Sequence, residues 1–317
     1  MSHFVIHIPK RIDEDQLPRL LALLNGGDDP ASLEINISNV RFLTPAAIVA
    51  ILARYNRWRR EGKSLALTGS ESCEALGYLQ RIDFLTHLGI HIPEDFIRRN
   101  PSGRFMPVQT LNFAEGNVDR IASEIARCTL PDATPEDDVF RLLQYAAGEL
   151  LSNAKYHSGG QAFVCAQFFP TRNLVRIAVA DDGTGIRETF MNTARESDAS
   201  TPDAAIRLAL QPHVSSALLR PNPNPYGGRD HRGVGLTITR NLAIQSDGQL
   251  SIVSENGWFD ELQGRERPLR GLPVFFPGTL VAFSINRDKI ADYSAMHEEA
   301  LSQIGMGVFD TQAMFVD

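Results

Sequence analysis

The stretch GELLSNAKYHSGG, residues 148–160, closes a helical run, TPEDDVFRLLQYAAGELLSNAKYH, and reading the two together decides the second half of the chain. Acidic residues open the run, and Val139, Leu142, Leu143, Ala146, Leu150 and Ala154 recur at helical spacing, so one long amphipathic helix is expected. On it Glu149, Asn153 and His157 stand four residues apart, which aligns a carboxylate, an amide and an imidazole on one polar stripe. A second stretch, VADDGTGI at residues 179–186, follows the strand NLVRIAVA. Its glycines let the backbone turn tightly and approach a ligand closely.

An E-x-x-x-N helix followed by a strand ending in D-x-G-x-G resembles the GHKL ATP-binding superfamily. Two further pieces extend the likeness in the family's order, over roughly residues 105–290. HRGVGLTITRNLA, residues 231–243, is similar to the second glycine box, where a glycine turn opens a helix whose N-terminal amides meet phosphates. GTLVAFSI, from Gly278, is similar to the closing strand.

With 317 residues, 43% of them hydrophobic, the chain is long enough for a large core and for two domains. A formal charge of -7 argues against a general nucleic-acid or anionic-membrane surface. No apolar run approaches the roughly 20 residues of a spanning helix, and MSHFVIHIPKR lacks a signal-peptide pattern, so no membrane association and a cytoplasmic location are expected. Cys73, Cys128 and Cys165 are odd in number and lie among apolar neighbours, which reads as buried reduced thiols.

Residues 1–98 read as a separate α/β unit. HFVIHIP is a strand, DEDQLPRLLALLN a helix, and SLEINISNV a half-buried strand with Leu33, Ile35 and Ile37 on one face. TPAAIVAILARYNRWRREGK reads as a helix capped by Thr44, with Pro45 in its first turn and a stripe of Ile48, Ile51, Leu52 and Tyr55. The strand SLALTGS and a helix, SCEALGYLQRIDFLTHLG, follow. Strands alternating with helices imply a mainly parallel or mixed sheet. This order, NISNVRFLTPAAIVAIL above all, resembles the STAS domain of anti-sigma-factor antagonists. In that family the helix is entered through an acidic residue, two serines and a glycine, the second serine accepting phosphate. Thr44, Pro45, Ala46 and Ala47 stand there instead, so the usual phospho-switch is missing. The unit then serves as a docking or dimerisation surface, or simply stabilises its neighbour.

The expected organisation is a STAS-like domain (1–98), a linker (99–106), a GHKL-type ATP-binding α/β sandwich of helices on a mixed sheet (107–290), and a C-terminal tail (291–317). Within the third, MPVQTLNF reads as its first strand and EGNVDRIASEIARC as its first helix. Residues 187–232 form a long insertion, the place of the ATP lid in the family, with a helical stretch in TPDAAIRLALQPHVSSALL. Residues 256–277, rich in glycine, proline and charge, read as irregular.

The resemblance implies ATP and Mg²⁺ as ligands. Asn153 would be the Mg²⁺ ligand, a role its amide oxygen suits, and Glu149 the carboxylate that takes a proton from, or orients, the group attacking the γ-phosphate. Asp181 would accept a hydrogen bond from the adenine amino group, with Asp182 solvated. Gly183 and Gly185 would shape the turn under the base, and Thr279 would bond there through water. Gly233 and Gly235 would offer amides to the phosphates, with His231 and Arg232 beside them. No G-x-x-x-x-G-K-[ST] is present, so a P-loop reading fails. His3, His7, His87 and His91 do not sit on a helix suited to a histidine kinase. Gyrase, chaperone and mismatch-repair types carry a catalytic lysine on a second domain for which the sequence after the closing strand leaves little room. The run N-A-x-x-H, at Asn153, Ala154 and His157, resembles the anti-sigma serine kinases, whose partners are STAS domains. The expected function is therefore an ATP- and Mg²⁺-binding regulatory protein of that kinase type with a protein partner. The alternative is a nucleotide-gated binding module, or slow ATPase switch, whose lid controls homodimerisation or partner contact.

Overall fold

The structure, a computed structural model, describes residues 3–25, 30–111, 117–130, 133–215, 233–269 and 274–305. Its first part comprises β1 (His3–His7), β2 (Arg11–Ile12), α1 (Leu17–Leu24), β3 (Ser32–Asn36), β4 (Phe42–Leu43), α2 (Pro45–Arg60), β5 (Ser64–Thr68), α3 (Leu76–Arg81) and α4 (Phe84–Leu88). β1, β3 and β5 pair in parallel in that order, with Leu33 and Ile35 of β3 buried and Glu34 and Asn36 half-buried, as the alternation predicts. The single helix expected across 72–89 is broken instead. Asp83 takes a left-handed φ of 61° between α3 and α4, so the chain turns before Phe84.

The second part comprises β6 (Phe105–Leu111), α5 (Val118–Thr129), α6 (Asp138–His157), β7 (Ala162–Phe169), β8 (Leu174–Asp181), α7 (Ile186–Phe190), α8 (Pro202–Ala209), α9 (Gly235–Gln245), β9 (Gln249–Glu255), β10 (Gly257–Leu262), β11 (Arg265–Glu266), β12 (Phe276–Asn286) and α10 (Tyr293–Gln303). Its seven strands run in the order β11-β10-β9-β12-β8-β7-β6, every neighbouring pair antiparallel. The molecule is thus a mixed α/β fold with parallel and antiparallel sheets. No described helix is long and apolar enough to cross a membrane.

Both faces of the large sheet are covered. On one, Val175, Ile177 and Val179 of β8 join the core made with α5, α6, α9 and α10. On the other, Ala178 and Ala180 join the core of the first part. The element that reaches across is α2, which packs on β7, β8 and β12. Every residue from Pro45 to Ala53 is buried, so α2 presents no single stripe; an apolar surface all round demands partners all round. Positions 44–47, where the STAS family carries its phosphoacceptor, lie inside this contact. Thr44 occupies the N-cap position, but its hydroxyl makes no capping bond and is buried without a partner among the described residues. The expected cap is therefore corrected: Thr44 stands at the N-cap position, but its hydroxyl does not bond the first amides of α2.

Residues 256–277 are not irregular throughout. β9 and β10 form a hairpin, and the charges that suggested a loop are paired: Asp260 with Arg267 at 2.7 Å and Glu261 with Arg240 at 2.7 Å. After β12, α10 is capped by Asp292, which accepts from the Ala295 amide at 3.0 Å, and buries Tyr293, His297, Ala300 and Leu301. Cys73 and Cys165 are buried and Cys128 half-buried, all three free thiols. Burial pushes the Cys165 thiol up to about 12, which keeps it protonated and inert.

Candidate functional site

Side chains alternate along a strand, so Ile177, Val179 and Asp181 face the helix layer while Ala178, Ala180 and then Asp182 face α2. Asp181 ends β8 with 2% exposure. Its carboxyl accepts the Gly183 amide at 3.0 Å and the Thr279 amide. Burial outweighs these bonds and the neighbouring Asp182 charge adds to it, raising the Asp181 carboxyl to about 8. A Cβ on Gly278 would stand 2.2 Å from the Asp181 carbonyl oxygen, so the closing strand reaches this carboxyl only because residue 278 has no side chain.

The loop after Asp181 is pinned to the end of α6. A Cβ on Gly183 would lie 1.9 Å from the Ser158 carbonyl oxygen, which also accepts the Thr184 amide at 2.8 Å. At Gly185 the constraint is Ser254: its hydroxyl accepts the Ile186 amide at 2.8 Å and donates to the Gly278 carbonyl at 3.1 Å. One serine in β9 thereby ties the first glycine loop to the closing strand. It lies in a fully buried stretch of β9 and carries no sequence signature of its own.

Midway along α6, Glu149 meets the second glycine box. A Cβ on Gly235 would fall 1.6 Å from Glu149 Oε2 and 2.4 Å from its Cδ, so the carboxylate rests against the first residue of α9. That is the positive end of the helix, where amides point at negative charge. Gly233 has a left-handed φ of 67°, and a Cβ there would lie 2.6 Å from the Val214 backbone. Glu149 also adds to the raised hydroxyl pKa of Tyr145 and Tyr293, burial being the larger cause. Asn153 is half-buried one turn beyond Glu149, and its amide makes no hydrogen bond among the described residues.

The structure therefore gathers Asp181, Gly183, Gly185 and Thr279 at one place and Glu149, Gly233 and Gly235 at another, with α6 and Asn153 joining them. His231 and Arg232 lie outside the described residues, as do the His157 side chain and residues 216–232 of the insertion. The described part of that insertion is ordered by its own small core of Phe190, Ala199, Ala205, Leu208 and Val214, and Asp203 holds it to β10 through the Trp258 amide at 3.0 Å.

Asp182 is a correction. Expected in solvent, it has 0% exposure and is held from the first part of the chain. Asn56 donates to Oδ2 at 2.5 Å, Arg60 pairs with Oδ1 at 3.2 Å, and the Gln161 amide donates to Oδ1 at 2.7 Å. The only hint of this in the sequence is the basic end of the α2 segment, NRWRR. Neither the known protein families nor the curated proteins hold a match to this chain.

Proposed function

We propose that the chain is an ATP- and Mg²⁺-binding regulatory protein of the GHKL superfamily, nearest the anti-sigma-factor serine kinases, acting on a protein partner. The observation that carries this reading is the seating of the Glu149 carboxylate at the N-terminus of α9, on the same helix whose far end holds the loop after Asp181. Glu149 and Ser158 are separated by about 13 to 14 Å of helical rise. A nucleotide lying along α6 would place its base at one end and its phosphates at the other.

The residues present fit such a ligand. Asp181 is a buried acceptor for an amino group, and in its ionised form it would set an acceptor against a guanine carbonyl. Gly235 presents its backbone bare at a helix N-terminus, where phosphates bind. Asn153 would give its amide oxygen to Mg²⁺, with phosphate oxygens and water completing the shell. ATP would supply the phosphoryl group. Glu149 would take the proton of the attacking serine hydroxyl, or orient that hydroxyl, while the bond between the β- and γ-phosphates breaks.

The attachment of Asp182 to α2 favours a second reading, a nucleotide-gated binding module in which turnover is incidental. Incubation with ATP labelled at the γ-phosphate and a serine-bearing STAS protein separates the two. Label on the partner supports the kinase; a change in assembly with no label supports the gate; no binding of ATP to the chain overturns both.

A further inference from the structure

The last turn of α2 converges on a single residue of the other part of the molecule. Besides the bonds to the Asp182 carboxylate from Asn56 and Arg60, the Asp182 carbonyl accepts from Arg60 at 2.7 Å and from Arg57 at 3.2 Å. Asn56 is itself held by Arg59. Carboxylate and carbonyl of one residue are thus both fixed from α2, while its own amide donates to the Gln161 carbonyl at 3.0 Å. A residue held at all three groups has little freedom in φ or ψ. Its chain neighbours are Asp181, the proposed adenine acceptor, and Gly183, whose amide orients that acceptor.

Two ion pairs between the parts stand apart from any proposed site residue. Glu14 pairs with Arg176 at 2.6 Å and Asp15 with Arg267 at 2.8 Å, and both join the parts without touching either glycine loop. Of these polar contacts, that of Asn56, Arg57 and Arg60 lies next in the chain to a base-recognition residue, beside the apolar packing of Ala180 and Leu280 in the core shared with the first part.

We infer that Asn56, Arg57 and Arg60 are positioning residues for adenine recognition, so that the seating of the N-terminal unit on the large sheet sets the affinity and base selectivity of the nucleotide site. The inference rests on the ATP reading above. The unit acts through Asp182: a loosened loop lets the Asp181 carboxyl swing from the direction an amino group needs. Linkage makes the effect reciprocal, so bound ATP tightens the hold of α2 on the sheet.

The test is ATP and GTP binding by calorimetry with Mg²⁺, alongside thermal unfolding, for the full wild-type chain and four variants. Asn56→Ala and Arg60→Ala should each weaken ATP about tenfold while GTP changes little, so the preference for ATP shrinks. One nitrogen of Arg60, Nη2, meets both the carboxylate and the carbonyl, so Arg60→Lys keeps a cationic donor but loses the planar fork that places it, and should recover part of the loss. Glu14→Gln loosens the same pair of parts elsewhere; it should lower Tm and leave both affinities and their ratio unchanged. Arg60 has its head half in solvent, so its variants fold even where Asn56→Ala does not. A wild-type chain that prefers ATP, with Arg60→Ala matching it, overturns the inference alone. So does an equal loss for both nucleotides, or the same loss in Glu14→Gln, since either marks a merely structural contact. A wild-type chain that binds neither nucleotide overturns the proposed function and this inference with it.

Discussion

The two faces of the seven-stranded sheet are both buried, one under the layer of α5, α6, α9 and α10 and the other under α2. The helix-layer face carries the proposed site residues Glu149, Asn153 and Asp181, with Glu149 and Asp181 set against Gly235 and Gly278. The α2 face carries none, yet its rim residue Asp182 is tied down by more partners than Asp181. Two identical residues, adjacent in the chain, thus divide the labour: one keeps a buried acceptor that protein groups only partly satisfy, and the other anchors the loop that presents it. A held neighbour is how a fold keeps such a group aimed.

The comparison breaks first at the level of stability. If α2 is core, a charge in it is as damaging as one in the helix layer. Ala47→Asp and Ala146→Asp, both at fully buried positions, should each cost about 3–5 kcal/mol in urea unfolding. A tolerated Ala47→Asp would make α2 a detachable surface. Next comes chemistry at the helix-layer rim: Glu149→Gln keeps shape but removes the basic oxygen, so turnover should fall about 10²-fold, ~2.7 kcal/mol of transition-state stabilisation, with ATP affinity kept. Lost affinity with unchanged transfer per bound ATP would reduce Glu149 to a support for α9.

A smaller effect separates the two aspartates. Asp181→Asn leaves a single acceptor oxygen for the Gly183 and Thr279 amides and the adenine amino group together, so ATP should weaken about tenfold relative to GTP. Equal affinity of the wild type for the two nucleotides would remove the base-recognition argument. The last test is in pH. The Asp181 carboxyl is raised from 3.8 to about 8 in the folded chain, so its contribution to stability is fully present below pH 4 and is lost as pH rises through 8. Melting temperatures taken between pH 4 and 8 should fall for the wild type relative to Asp181→Asn. Parallel curves would show that the carboxyl is not buried as described.

Much of the fold was legible from local pattern. The period of two in β3 and the helical period in α6 mark these elements directly, because each records a local geometry that turns one face to a core. β10 was hidden, since Asp260 and Glu261 read as loop residues until Arg267 and Arg240 are found beside them. The break between α3 and α4 was hidden too, resting on one residue's left-handed φ.

What the sequence by itself determined is therefore the set of elements and the site-bearing glycine turns: alternation, helical spacing and the absence of a Cβ are properties of a few neighbouring residues. The sequence marked a single stripe on α2, Ile48, Ile51, Leu52 and Tyr55, whereas the structure buries every residue from Pro45 to Ala53. Only the tertiary structure decided what covers it. The approach of α2 to β7, β8 and β12 pairs residues more than 100 positions apart, and no local period encodes that choice. For the same reason, only the assembled sheet could tell Asp181 from Asp182: strand alternation puts them on opposite faces, but which face receives the helix layer and which receives α2 is settled by the packing of distant segments.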